Sequence, residues 1–143
     1  MSDSLEAIRK FLLDGGASEC MLTVEGRSMA PALLPGDEIL VRRVAEETLR
    51  LGDVVVFYLD GWKLPCTHRL IWKRSRGGKT RYYTKGDALP HAECFEADAF
   101  VGRVERALRG GEAIRENPLA AKIRALLGCA LYLLFKARRR LDR

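Results

Sequence analysis

Gly26-Arg27-Ser28-Met29-Ala30-Pro31-Ala32-Leu33-Leu34-Pro35-Gly36-Asp37 sets a single serine in a short irregular loop, just ahead of the apolar run Ile39-Leu40-Val41. Gly26 permits unusual backbone angles before the serine, while Pro31 and Pro35 restrict the chain after it, so a stiff loop sets the direction of the hydroxyl. Such a loop suits a nucleophile. It suits a plain turn equally well.

Outward from this loop the chain reads as short strands. Residues 21–25 lead into it, residues 38–44 leave it, and residues 53–59 carry the strand-favouring run Val54-Val55-Val56-Phe57-Tyr58. Residues 66–73 and 80–84 flank Ser75-Arg76-Gly77-Gly78-Lys79, a hairpin turn, and residues 100–108 and 112–115 flank Gly110-Gly111 in a last hairpin. About six or seven strands at this spacing predict a mainly β fold, a compact bent sheet or partial barrel.

A helix is expected at each end. Leu5, Ile8, Phe11 and Leu12 fall at helical spacing over residues 4–14, with Ser2, Asp3 or Ser4 as N-cap and Gly15-Gly16 as the stop. Its apolar side suits a sheet or a membrane surface. Pro118 opens a second helix, whose stretch from Ala125 to Phe135 carries no charge. That run is about 11 residues against the roughly 20 needed to span a bilayer, so the expectation is a helix packed on the domain or lying in the interface, without a full transmembrane span. The expected division is residues 1–19 for the N-terminal helix, 20–116 for the β domain and 117–143 for the apolar helix with its basic tail.

The net charge of +6 is unevenly placed, since the last eight residues carry five positive charges and one negative, leaving +2 for everything before them. A basic tail beside an apolar helix points to peripheral membrane contact through residues 119–136, and no nucleic-acid partner is expected. Asp3 and Glu6 stand where a signal peptide would be basic, so no export signal is read and the expected location is the cytoplasm or a membrane surface. Cys20, Cys66, Cys94 and Cys129 lie far apart and read as unpaired thiols.

Among residues suited to chemistry, His68 stands in Pro65-Cys66-Thr67-His68-Arg69-Leu70-Ile71-Trp72, where alternation sets His68, Leu70 and Trp72 on one face and Arg69 and Ile71 on the other. A neutral imidazole in that setting takes a proton from a serine hydroxyl. An acid to orient it comes from the stretch after Tyr83-Thr84-Lys85-Gly86-Asp87, with Asp87, Glu93 and Asp98 as candidates. A rival reading takes Cys66, His68, His91 and Cys94 as a closed zinc site. No Gly-rich phosphate loop or His-Glu-x-x-His motif occurs, which removes nucleotide hydrolysis and zinc-protease chemistry.

Taken in order, Gly26-Arg27-Ser28-Met29-Ala30-Pro31, Gly36-Asp37-Glu38-Ile39-Leu40-Val41, Gly52-Asp53-Val54-Val55-Val56-Phe57, His68-Arg69-Leu70-Ile71, Tyr83-Thr84-Lys85-Gly86-Asp87 and Val101-Gly102-Arg103-Val104 resemble the successive boxes of the type I signal peptidase family, which shares its fold with self-cleaving repressors. The resemblance runs over roughly residues 22–106. It implies Ser28 as nucleophile and His68 as base, the Ser-His subtype, with Asp87 and Glu93 on the family's acid positions. Lys85 belongs to the Lys-Gly-Asp box and is not the lysine base of other members. Many members carry a serine two positions before the nucleophile to help bind the oxyanion; here that position is Gly26.

The expected activity is therefore a serine endopeptidase that cleaves a signal or leader peptide, with a peptide or preprotein as partner and no cofactor. Small side chains just before the cut bond, and substrate held by strand addition along residues 21–25, follow from the resemblance and from general strand pairing. The alternatives are a non-catalytic peptide-binding module on the same scaffold and the Cys2His2 zinc-stabilised domain. A self-cleaving repressor would use a lysine base and carry a DNA-binding domain, for which about 20 residues before the first strand leave no room.

Overall fold

The computed structural model describes residues 3–13, 15–59 and 65–141. Two helices and eight strands are found among them, α1 (Asp3–Leu13), β1 (Glu19–Thr23), β2 (Glu38–Arg42), β3 (Val54–Tyr58), β4 (Pro65–Arg76), β5 (Lys79–Lys85), β6 (Ala92–Phe95), β7 (Phe100–Arg109), β8 (Glu112–Ile114) and α2 (Pro118–Leu141). The strands form one sheet in the order β1-β2-β7-β3-β4-β5-β6, with β8 paired to β7. Every pairing is antiparallel.

Alternation along β3 explains why the sheet bends around two cores. Val56 packs with Leu22, Ile39, Val41 and Val101. Its neighbours Val55 and Phe57 pack with Leu49, Leu70, Tyr82 and Phe95 on the other side. A strand apolar on both faces must be covered on both, and register shifts in β2, β3 and β4 supply the curvature. Phe95 stacks on Phe57 at 4.6 Å and on Tyr82 at 5.1 Å between ring centroids, which ties β6 to the second core.

The expected bent β sheet is the observed one, and the details that differ have local causes. β6 lies within a stretch that reads by sequence as an acid-bearing loop, because four residues with mixed polarity give too short a period to register. The alternation along β4 holds through Leu70 and fails at Trp72, which is exposed, because the pairing with β5 slips by one residue between Leu70 and Trp72. Gly77 and Gly78 both adopt positive φ, as a two-residue hairpin turn between right-twisted strands demands.

α1 covers the sheet rather than a membrane, since Ile8 and Phe11 are buried in the first core and Arg43 donates to the Phe11 carbonyl at 2.8 Å. The N-cap expected at Ser2, Asp3 or Ser4 lies outside the described residues and side chains. The larger correction concerns α2. It runs for 24 residues, with a window of mean hydropathy 1.6, and is by length and composition long enough to cross a membrane. Counting only the charge-free run missed the turns on either side, where Lys122 and Arg124 before it and Lys136 and Arg138 after it interrupt the apolar residues without ending the helix.

Candidate active site

Ser28 is placed by its neighbours. Met29 and Leu33 are buried in the first core, so the loop is nailed down on the residue after the serine while Ser28 itself stays partly open. The Ala30 N–H donates to the Arg27 carbonyl and the Leu33 N–H to the Met29 carbonyl, winding residues 27–33 into consecutive turns. From the other side, the Ala88 N–H donates to the Ser28 carbonyl at 2.8 Å. Gly86 is a close approach: a Cβ there would stand 2.7 Å from that same carbonyl oxygen. The Lys-Gly-Asp turn is thus a backbone clamp on the serine loop.

His68 projects from β4 and is 6% exposed. Its Nε2 stands 3.1 Å from Ser28 Oγ and its Nδ1 2.9 Å from Glu93 Oε2. A carboxylate only accepts, so Nδ1 carries the proton and donates to Glu93, which leaves Nε2 to accept from the Ser28 hydroxyl. Phe57 meets the ring edge-on, 6.1 Å between centroids, and fills the apolar side of its pocket. Glu93 reaches the ring from β6, two strands from β4. Strands lie about 4.8 Å apart, so the carboxylate must cross over β5, and it does so above Thr84, its register partner. The long glutamate arm and the small threonine together make that crossing; the Thr84 hydroxyl also donates to Glu93 at 3.5 Å.

Asp87 lies elsewhere, with both its oxygens taken by Arg69 at 2.8 Å, and the carboxylate on the ring is Glu93. Asp98 is exposed on a short helical turn, Ala97–Ala99. Arg69, fully buried next to His68, also bonds Glu116 and the Gly52 carbonyl. Burial lowers its pKa, but hydrogen bonds to Asp87 and Glu116 more than offset this and hold it above its ordinary value. Sequence reading missed Glu116 altogether: it stands in a linker 47 residues from Arg69, and no periodicity points from one to the other. Lys85, also buried, donates from Nζ to the Gly86 carbonyl.

The zinc reading is not supported by the arrangement. Among the described residues no group of three or more His, Cys, Asp or Glu side chains converges to hold a metal. His91 is more than half exposed, Cys94 is exposed, and burial together with the Glu93 charge pushes the Cys66 thiol up to about 11, away from the thiolate a metal needs. A hollow of about 900 Å³ lies away from the imidazole, between Leu33, the β7–β8 hairpin and the start of α2. The imidazole is covered and Ser28 beside it is half-buried, so the pair is reached from the serine side.

Chemically, the three side chains can take a proton from Ser28, hold it on an imidazole buttressed by a carboxylate, and return it to a leaving group. Gly26 offers no side-chain donor near the oxyanion, although a Cβ at that position would meet nothing within 4 Å.

Comparison with known proteins fits this geometry. The family described as Peptidase S24-like matches residues 2–78, which include Ser28 and His68 and stop before Glu93. The signal peptidase complex catalytic subunit SEC11C of Homo sapiens is 34% identical over 77 residues, covering 53% of this chain and 40% of that protein. The corresponding subunit of Sclerotinia sclerotiorum is 38% identical over 69 residues, and that of Metarhizium robertsii 39% over 69, each across 47% of this chain and 40% of the relative. The chain spans about two fifths of the length of these curated relatives.

Proposed function

The chain belongs to the Peptidase S24-like family, and from that premise we propose that it is a serine endopeptidase that cuts a signal or leader peptide from a preprotein, with residues 20–116 as its catalytic domain. The observation that carries this reading is the continuous contact from Ser28 Oγ to His68 Nε2 and from His68 Nδ1 to Glu93, at 3.1 and 2.9 Å.

In the proposed reaction Ser28 Oγ attacks a peptide carbonyl while His68 Nε2 takes the hydroxyl proton. Glu93 stabilises the imidazolium through Nδ1–H. The tetrahedral intermediate collapses as the imidazolium gives its proton to the departing amine, leaving an acyl-Ser28 ester; water, deprotonated by the same ring, then releases the carboxylate product. With glycine at position 26, backbone N–H groups of the serine loop carry the oxyanion, and the rate is lower than with a second donor, by about a hundredfold where one donor is lost. Substrate class is taken from the similarity to signal peptidase catalytic subunits. β1 ends the sheet and runs into residues 24–27, which deliver Ser28, so a substrate strand added along this edge would pass the hydroxyl.

The test is cleavage of leader peptides with small residues before the cut, read by mass spectrometry, beside labelling of Ser28 by a serine-reactive probe. Ser28→Ala and His68→Ala are each expected to lower the rate by at least about 10⁴-fold with little change in melting temperature. Turnover that survives either substitution overturns the assignment. Peptide binding without turnover or labelling would replace it with a binding module.

A further inference from the structure

The outer side of α2 is the least explained surface of the molecule. Leu119, Ile123, Leu126, Leu127, Leu131 and Leu134 are 48–67% exposed along one helix. The opposite side is firmly docked. Ala125 is buried, a Cβ at Gly128 would stand 3.1 Å from Ile71, a Cβ at Gly52 would stand 3.1 Å from the Ala121 backbone, and the Tyr83 and Tyr132 rings lie 6.2 Å apart. Arg124 donates to Glu116 at 2.7 Å, which joins the helix to the buried Arg69 cluster. Positions 121, 125, 128 and 132 are spaced as one helical stripe, and that stripe is spent on β4 and β5.

Docking decides between crossing a bilayer and lying on one. A span needs about 20 residues in hydrocarbon, whereas the part of α2 beyond the docked stripe, residues 133–141, has four basic residues among its nine. To cross, α2 would have to leave the domain and abandon Arg124–Glu116 and the Gly128 contact. The positive charges are also placed for a helix in the plane. Lys136 and Arg139 continue the docked stripe at four and seven residues past Tyr132, so they lie opposite the apolar side and do not interrupt it. Their charged heads lie over rings, Lys136 Nζ 5.9 Å from the centre of Tyr132 and Arg139 Cζ 5.4 Å from that of Phe135. No Asp or Glu occurs from residue 117 to residue 141. The outer stripe is apolar from Leu119 to Leu134 and meets its first charge at Arg138, one turn further on, whose long arm can carry its head to a headgroup; an apolar face ended by cations and free of carboxylates is complementary to hydrocarbon beneath anionic headgroups.

We propose that α2 is an in-plane membrane helix, docked on β4 and β5 through its inner stripe, with its outer stripe in the headgroup–acyl boundary of an anionic bilayer. Lys85, in contact range of Gly128, adjoins the Gly86 clamp on Ser28, so the serine loop is held close to the lipid surface. The inference stands whether or not the protein is a peptidase, because nothing in it uses turnover.

The experiment is sedimentation of the full chain with vesicles of phosphatidylcholine alone or with about a quarter phosphatidylglycerol. Binding to the anionic vesicles is expected, at least about tenfold weaker to the neutral ones and weakened by about 0.5 M salt. The exposed pair Leu127→Gln with Leu134→Gln is expected to lower binding at least about tenfold while leaving the melting curve unchanged, since neither side chain packs on the domain. Alkaline carbonate should release the bound protein. Retention in the pellet overturns the in-plane arrangement in favour of a span. No binding to either vesicle, or a dimer in solution that the double substitution dissolves, overturns the lipid assignment.

Discussion

His68 and Arg69 are consecutive on β4, point to opposite faces, and are each met by carboxylates, yet their surroundings differ in kind. Arg69 is saturated: Asp87 and Glu116 each bind it through two oxygens and Gly52 adds a carbonyl, with all five contacts between 2.8 and 3.0 Å. His68 has one partner on each nitrogen, and one of these is the hydroxyl of the half-buried Ser28. A fully paired fork has no bond to spare for a reacting molecule, and its donors hold β4, the Lys-Gly-Asp turn and the start of α2 in one geometry. An imidazole with one nitrogen anchored and the other on a hydroxyl retains a proton to move. On the proposed reading, adjacent residues on one strand divide support from chemistry, and the pleat separates them.

The sharpest way to break this contrast is at Glu93. Glu93→Gln keeps the side-chain length but removes the charge, and its amide can present a donor to Nδ1. The cleavage rate is expected to fall by about 10²–10⁴-fold with a nearly unchanged thermal melt. A melt that collapses with the rate would move Glu93 to the structural side. Next in size is Arg69→Leu, which strands two partly buried carboxylates; unfolding free energy measured in urea is expected to drop by about 3–5 kcal/mol. If it does not, the network around Arg69 is not what holds the loop.

The smallest effect is expected at Asp37, a second structural carboxylate, buried and hydrogen-bonded to Arg109 and to the Leu34 N–H. The Arg109 hydrogen bond holds its pKa below the ordinary value against the opposing pull of burial. Its contribution to stability is therefore complete above the unfolded-state value, near about 4, and is lost as pH falls through the lower folded value. Asp37→Asn should lower the melting temperature by roughly 4 °C at neutral pH, and the gap to the parent should close in acid. A gap that persists there would mean that the carboxylate charge is not the source.

Much of this was legible along the chain. Strand-forming runs broken by glycine pairs predict the bent sheet because side-chain alternation and turn chemistry are local properties, and the two hairpins fall where Gly77-Gly78 and Gly110-Gly111 put them. The serine and histidine were legible as well, through their order among short motifs. The partner of the imidazole was not, since Asp87, Glu93 and Asp98 are equal candidates until the strands are paired. Pairing β6 to β5 sets Glu93 over Thr84 and within reach of β4, while pairing β5 to β4 sets Lys85 opposite Arg69 and the turn after it brings Asp87 onto the guanidinium. α2 divides in the same way. Composition made it apolar and basic, but which side faces outward depends on where Gly52, Ile71 and Lys85 stand. What the sequence determined by itself is what depends on neighbours within a few residues: element type, turn positions and the chemical groups on offer. Only the tertiary structure decided which carboxylate meets His68, which carboxylates saturate Arg69 and which face of α2 is left uncovered, because the side-chain contacts at His68 and Arg69 join residues 18, 25 and 47 positions apart, a separation that local propensity does not encode.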